Sequence, residues 1–228
     1  MRKLSLRLNL IADLVPHGAK VCDIGTDHAY LPIFLKKSGR CKTVIATDIN
    51  KEPLNRAAAN ITAAGVHDIQ LRLCDGLSKI KAGEVDTVII AGIGGEAISA
   101  ILEQGGHIAK DKNVNFILQP TTSPDLLRLY LSENGFDIIK EIPVLENGKV
   151  YSIMLCRYTG EIFRQEPYFF FAGLVKPNCE AGIFYLKKQQ QRCCQSMTAL
   201  KDRTDKKEEF EYYKTAFEAL SRLLSKGD

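Results

Sequence analysis

The run Asp23-Ile24-Gly25-Thr26-Asp27-His28-Ala29-Tyr30-Leu31-Pro32 follows the extended apolar stretch Lys20-Val21-Cys22-Asp23-Ile24. Gly25 permits a tight turn and a close approach of backbone to a ligand. The helix that follows offers unpaired N–H groups suited to an anion. The run lacks the three-glycine dinucleotide pattern, because positions 27 and 30 are Asp and Tyr. Its carboxylates disfavour a pyrophosphate. They suit S-adenosylmethionine (SAM), which carries a sulfonium cation and an ammonium but no phosphate. The plainer reading is a generic strand-to-helix turn.

Asp48 lies 25 residues after Asp23, at the end of a second apolar run. A carboxylate there can accept hydrogen bonds from both hydroxyls of a ribose, and Asn50 can add a contact. Both types are also common helix N-caps. Cys74-Asp75-Gly76-Leu77 closes a third run. Asp75 can take the exocyclic amine of an adenine, although Asp-Gly is as readily a plain turn. Three carboxylates at the ends of three strands outweigh any one alone, because open α/β sheets bind ligands along that edge.

Ala91-Gly92-Ile93-Gly94-Gly95-Glu96 ends a fourth run, and its glycines would let a flat substrate lie against the backbone. A tight turn into a helix is the alternative. The Asn/Asp-Pro-Pro-aromatic run of many amino-group methyltransferases is missing here. Gln119, before Pro120, is either a reader of a base edge or a polar strand end. His28 is either a general base or a structural hydrogen-bonding group. Arg7 and Arg72 can meet RNA phosphates, or are simply solvated.

These residues need a scaffold. Candidate strands are 20–24, 43–47, 69–73, 87–91 and 114–118, with helices near 29–38, 51–64, 95–106 and 123–134. Strand alternating with helix predicts a doubly wound α/β sheet, and the nearly all-apolar first, second and fourth strands suit burial on both faces. Two extended runs, 136–145 and 150–156, flank Glu146-Asn147-Gly148-Lys149, and Asn-Gly predicts an antiparallel hairpin.

After about residue 158 the strand pattern stops. An irregular aromatic stretch, Tyr168-Phe169-Phe170-Phe171, leads to two heptad series: Ile183, Leu186, Gln190, Cys193, Met197, Leu200, and then Phe210, Tyr213, Phe217, Leu220, Leu224. The spacing predicts a coiled-coil-like helical hairpin closing its seam on itself, with Thr204 and Asp205 capping the second helix. The domains expected are 1–158, catalytic and SAM-binding, and 159–228, helical. Lys187, Lys188, Arg192, Lys201, Arg203, Lys206 and Lys207 could track an RNA backbone, although interleaved acids also suit a solvated face.

The 228 residues are 45% hydrophobic and 25% charged, which excludes bulk disorder. No membrane-length apolar run or leader pattern is found: Met1-Arg2-Lys3 runs into Leu4-Ser5-Leu6-Arg7. The odd count of seven scattered cysteines, with no C-x-x-C pair, speaks against a disulfide framework or zinc site and fits a reducing cytoplasm. A net charge of +4 permits a nucleic-acid partner without demanding one.

The D-I-G-T-D-H-A-Y-L-P and A-G-I-G-G runs, with Leu4-Ser5-Leu6-Arg7-Leu8, Asp48-Ile49-Asn50, Cys74-Asp75-Gly76-Leu77 and Leu118-Gln119-Pro120, resemble the bacterial TrmK family, the tRNA (adenine-22-N1)-methyltransferases of Gram-positive bacteria. The resemblance spans essentially the whole chain. It implies a class I SAM-dependent methyltransferase fold, Rossmann-like and mostly parallel with seven strands. It also implies SAM as donor and tRNA as partner. Carried onto this sequence, it implies a methyl-transfer site lined by Asp27 and His28. The cofactor positions would be Asp23, Gly25, Asp48, Asn50, Asp75, Gly76, Ala91 and Gly92. The substrate positions would be Arg7, Tyr30, Gly94, Gly95, Gln119 and Pro120. No metal or membrane is implied, and a monomer is expected, with a dimer as the alternative. Rival readings are a methyltransferase acting on another RNA or a small molecule, and a non-catalytic SAM- and RNA-binding protein.

Overall fold

The computed structural model describes residues 4–162 and 164–225; Met1, Arg2 and Lys3 of the expected N-terminal segment lie outside them. The sheet strands are β1 (Ala19–Ile24), β2 (Cys41–Asp48), β3 (Ile69–Leu73), β4 (Thr87–Ile93), β5 (Asn115–Pro120), β6 (Phe136–Glu146) and β7 (Lys149–Tyr158). Helices α1 (Leu6–Leu14), α2 (Tyr30–Lys37), α3 (Lys51–Ala63), α4 (Gly95–Gln104), α5 (Gly106–Ala109) and α6 (Pro124–Glu133) lie before or between them. Helices α7 (Pro167–Ala172), α8 (Glu180–Leu200) and α9 (Lys207–Ser225) follow.

The strand order is β3-β2-β1-β4-β5-β7-β6. Pairs from β3 through β5 are parallel, and β7 runs antiparallel to both β5 and β6. Chain direction across the sheet reverses between β1 and β4, so their carboxyl ends frame a crevice. The hairpin turn has Asn147 at φ 51° and Gly148 at φ 70°, both left-handed as a primed two-residue turn requires.

Alternating side chains feed two apolar layers. Val21 and Ile89 join Ile11 of α1, Leu35 of α2 and Ile61 of α3 on one face. Cys22, Val88 and Ile90 join Ile98 of α4 and Leu127 of α6 on the other. Period-two alternation sends neighbours to opposite faces, and helices on both sides make both faces apolar.

Beyond β7, three of the sequence expectations need correction. The aromatic stretch is not irregular: it forms α7, with Pro167 at the start, where a missing N–H costs nothing. The α8 seam is not the expected one. Tyr185, Leu186, Gln189 and Cys193 are buried, whereas Ile183, Gln190, Met197 and Leu200 are only partly so. The first half of α8 packs on the β6–β7 hairpin as well as on α9, and that second contact rotates the buried face. Thr204 and Asp205 lie in a 3-10 turn before α9, where the Asp205 carboxylate accepts from Arg203.

A buried cluster ties α6, α7 and α8 to the hairpin. Arg128 Nη2 donates to Glu141 Oε1 at 2.5 Å and to the Tyr185 hydroxyl at 2.6 Å, while Nη1 donates to the Phe170 carbonyl at 2.7 Å. All seven cysteines are free thiols. Among the described residues no helix is long and apolar enough to cross a membrane, and no group of three or more His, Cys, Asp or Glu side chains could hold a metal.

Candidate active site at the carboxyl edge of the sheet

A cavity of about 380 Å³ opens at the β1–β4 crevice, lined by residues that include Arg7, Asp23, Gly25, Asp27, His28 and Tyr30, with Ala91 and Gly92 on the β4 side. The loop after β1 builds one wall. Gly25 is left-handed at φ 71°, as are the non-glycine residues Asp27 at 46° and Ala29 at 55°. Such backbone persists only where its surroundings hold it. Gly25 N and Thr26 N both donate to the Thr47 carbonyl at 2.9 Å, and Asn60 Nδ2 donates to the His28 carbonyl at 2.9 Å. Arg56 Nη2 donates to Asp27 Oδ1 at 2.8 Å.

Asp27 therefore sits between a guanidinium and His28, whose Nε2 lies 3.5 Å from Asp27 Oδ2. The His28 ring stacks on Tyr30, with centroids 5.1 Å apart and planes 15° from parallel. Asp23 is buried and has no salt-bridge partner among the described residues. Burial pushes its carboxyl up to about 7; Thr26 beside it pulls the other way, and the Asp48 charge adds to the rise. A desolvated carboxylate on a cavity wall suits a cationic ligand, because such a ligand replaces the lost hydration.

Arg7 comes from α1, across the sheet edge. Its backbone N–H donates to Glu146 Oε1 at 2.9 Å, and its guanidinium lies over the Tyr151 ring at 5.6 Å and donates to Gln119 Oε1. The hairpin tip thus aims Arg7 at the cavity.

The expected residues separate into groups. Arg7, Asp23, Gly25, Asp27, His28, Tyr30, Ala91 and Gly92 meet at one cavity. Asp48 and Asp75 end neighbouring strands along the same edge but do not line it. Asp48 Oδ1 accepts from Asn50 N at 2.9 Å, so that carboxylate also shapes the turn into α3. Asp75 is exposed, and Gly76, at φ 49°, lies against Ile101.

One expectation fails on geometry. Gln119 is fully buried: its carbonyl accepts from Arg7 and from Gly92 N, and its amide donates to the Pro120 carbonyl at 2.9 Å. Both acceptor positions are taken and no atom of the side chain is exposed to a base. Gly94 and Gly95 also answer a packing need. A Cβ at Gly95 would strike the Ser123 carbonyl, and one at Gly94 would meet Thr122 Oγ1 at 3.0 Å. They let α4 start close to the β5–α6 turn. Pro120 faces a different cleft, beside α8. The sequence reading missed Arg56 and Asn60. Their one available mark was the four-residue spacing that puts them on one face of the helix after Asp48.

Residues 4–154 match the family model described as a methyltransferase domain. The chain is 37% identical over 154 residues to the Bacillus subtilis tRNA (adenine(22)-N(1))-methyltransferase, a match covering 67% of this chain and 64% of that relative. A crystal structure of the B. subtilis m1A22 tRNA methyltransferase TrmK superposes with TM-score 0.85 at 28% identity, covering 97% of this chain and 99% of that one. The Streptococcus pneumoniae protein Sp1610, crystallised with S-adenosyl-L-methionine, superposes with TM-score 0.80 at 33% identity, covering 97% of this chain and all of that one.

Proposed function

The chain belongs to the TrmK family of tRNA (adenine-22-N1)-methyltransferases, and we propose that it transfers a methyl group from SAM to N1 of adenine 22 in tRNA. The observation that carries this reading is the β1–β4 cavity, which combines an unpaired buried carboxylate with an aromatic and carboxylate wall. SAM supplies an electrophilic methyl carbon on a sulfonium. Asp23 faces its cationic amino-acid portion, with Gly25, Ala91 and Gly92 giving backbone approach. Asp48 and Asn50 serve the ribose, and Asp75 and Gly76 the adenine end.

N1 of adenine carries an in-plane lone pair, so attack needs no strong base. The product ring is cationic. Asp27, oriented by Arg56, stabilises positive charge as it develops, and Tyr30 stacked on His28 gives the target base an aromatic wall. Arg7 stands on the opposite side. The target base leaves its stack to enter, at a cost of roughly a few kcal/mol that contacts elsewhere on the RNA must offset. We assign residues 1–158 to catalysis and 159–228 to a helical part that contributes such contacts. The α8–α9 seam closing within one chain fits a monomer, and a tRNA substrate fits a cytoplasmic one.

The test is incubation with labelled SAM and unmodified tRNA, followed by nucleoside analysis. The expected product is 1-methyladenosine at position 22. Label at another nucleotide, or in no RNA at all, overturns the reading.

A further inference from the structure

A second cleft, of about 330 Å³, lies between the β5–α6 turn, the start of β7 and α8. Thr121, Thr122 and Ser123 bring hydroxyls from one side, and Lys188, Gln189 and Arg192 face them from α8. We propose that this cleft seats a backbone phosphate of the substrate RNA next to the extruded base, a role that rests on the function proposed above.

The donors are built in. Gln189 is only 2% exposed, and its Oε1 accepts from Arg192 Nη1 at 2.9 Å. Arginine can only donate, which fixes the amide orientation. The Gln189 NH₂ is left with no acceptor among the described residues and lines the cleft. Arg192 itself is held by Asp125, with Nη1–Oδ1 at 3.0 Å and Nη2–Oδ2 at 3.3 Å, so those two charges offset each other. Lys188 is exposed, has no carboxylate partner among the described residues, and carries the net charge. Ser123, the N-cap of α6, makes no capping hydrogen bond with its side chain.

The position fits the substrate. Tyr151 lines this cleft and also lies beneath Arg7, which lines the methyl-transfer cavity. Pro120 lines it too, directly after the Gln119 that Arg7 engages. One layer of side chains separates the two cavities along the same sheet edge. An enzyme that takes a base out of its stack must hold the flanking backbone, and donors without acceptors suit a phosphodiester.

The test compares steady-state kinetics of full-length Lys188→Ala, Lys188→Glu, Gln189→Glu and Lys187→Ala with the unaltered chain. Lys187 neighbours the cleft residues but does not line the cleft. Lys188→Glu should raise KM for tRNA roughly tenfold, the scale of one charge-assisted contact, with SAM affinity and melting temperature unchanged. Gln189→Glu should raise KM likewise. Lys188→Ala should reduce the slope of log affinity against log salt by just under one, as expected for one phosphate lost. Lys187→Ala should change it less. An unaltered chain that methylates tRNA normally, while the cleft variants keep their KM or Lys187→Ala matches Lys188→Ala, overturns the phosphate seat alone. No methyl transfer by the unaltered chain overturns the functional reading itself, and the seat with it.

Discussion

Arg56, in the second turn of α3, holds the carboxylate of Asp27 at 2.8 Å across the mouth of the β1–β4 cavity. Asp27 has a left-handed backbone, at φ 46°. The ion pair and the Asn60 bond to the neighbouring His28 carbonyl therefore fasten a strained loop to a regular helix. Both side chains of the pair are about half exposed, so its worth lies in orientation rather than in stability.

Arg56→Ala should accordingly leave the melting temperature unchanged and lower kcat by at least about tenfold, because a loosely held group near the reacting atoms is costly. SAM affinity should stay close to normal. Asp27→Ala should remove most turnover. Near-normal rates in Asp27→Ala with intact SAM binding would refute the role given to this carboxylate. The pair is read by stopped turnover assays beside calorimetric SAM titration.

Asp23 should make SAM binding dependent on pH. With its carboxyl pushed up to about 7 by burial, the empty cavity holds a proton below that pH. The cationic ligand favours the ionised form, so affinity should weaken as pH falls from 8 to 6. Asp23→Asn should bind SAM weakly at every pH and flatten the profile. Stability runs the other way. The folded state binds the proton more tightly than the unfolded state, so the ligand-free chain loses stability as pH rises from about 4 to about 7. The limit of the effect is roughly 4 kcal/mol. Melting curves across that range should show Asp23→Asn more stable than the unaltered chain at pH 8 and no more stable at pH 4. A flat difference would contradict the assignment.

Gln119 acts through Arg7 and Gly92 rather than on the RNA. Gln119→Ala would leave the Gly92 N–H and the Arg7 guanidinium without their shared acceptor. Both hydrogen bonds are only part-buried, so water partly replaces the lost acceptor and the cost should be about 1 kcal/mol. The variant should melt earlier and bind SAM less tightly, yet keep adenine as its target. Methylation of a different base by Gln119→Ala would restore the base-reading role that the hydrogen bonds exclude.

The Arg128–Glu141 pair should govern stability. Both side chains are fully buried, so Arg128→Met leaves an unpaired carboxylate in the interior, at a cost of about 3–5 kcal/mol. Gly173→Ala should be comparably damaging, since its Cβ would run into Glu141 and the backbone sits at φ 59°. Gly148→Ala, at φ 70° with open space around it, should cost only about 1 kcal/mol. Denaturant melts that rank Gly148→Ala as the worse of the two would contradict this packing.

Strand order aside, most of the catalytic scaffold was legible in the chain. The run Val88-Ile89-Ile90 is apolar at every position because both faces of β4 are covered, and Asn147-Gly148 supplies the two left-handed residues its turn needs. The Asp23–Tyr30 run marked the cavity wall for a similar reason: turn chemistry and acidic side chains are local properties. The tertiary structure decided what no local pattern encodes. Gln119 was free to be a base reader until Arg7, 112 positions away, took its carbonyl. Gly94 and Gly95 gave no sign in the sequence that the β5–α6 turn packs against them. The heptads of α8 were a self-contained seam until the β6–β7 hairpin claimed Tyr185. A side chain's hydrogen-bonding capacity is finite, and sequence gives the capacity; only the packed fold determines which partner uses it.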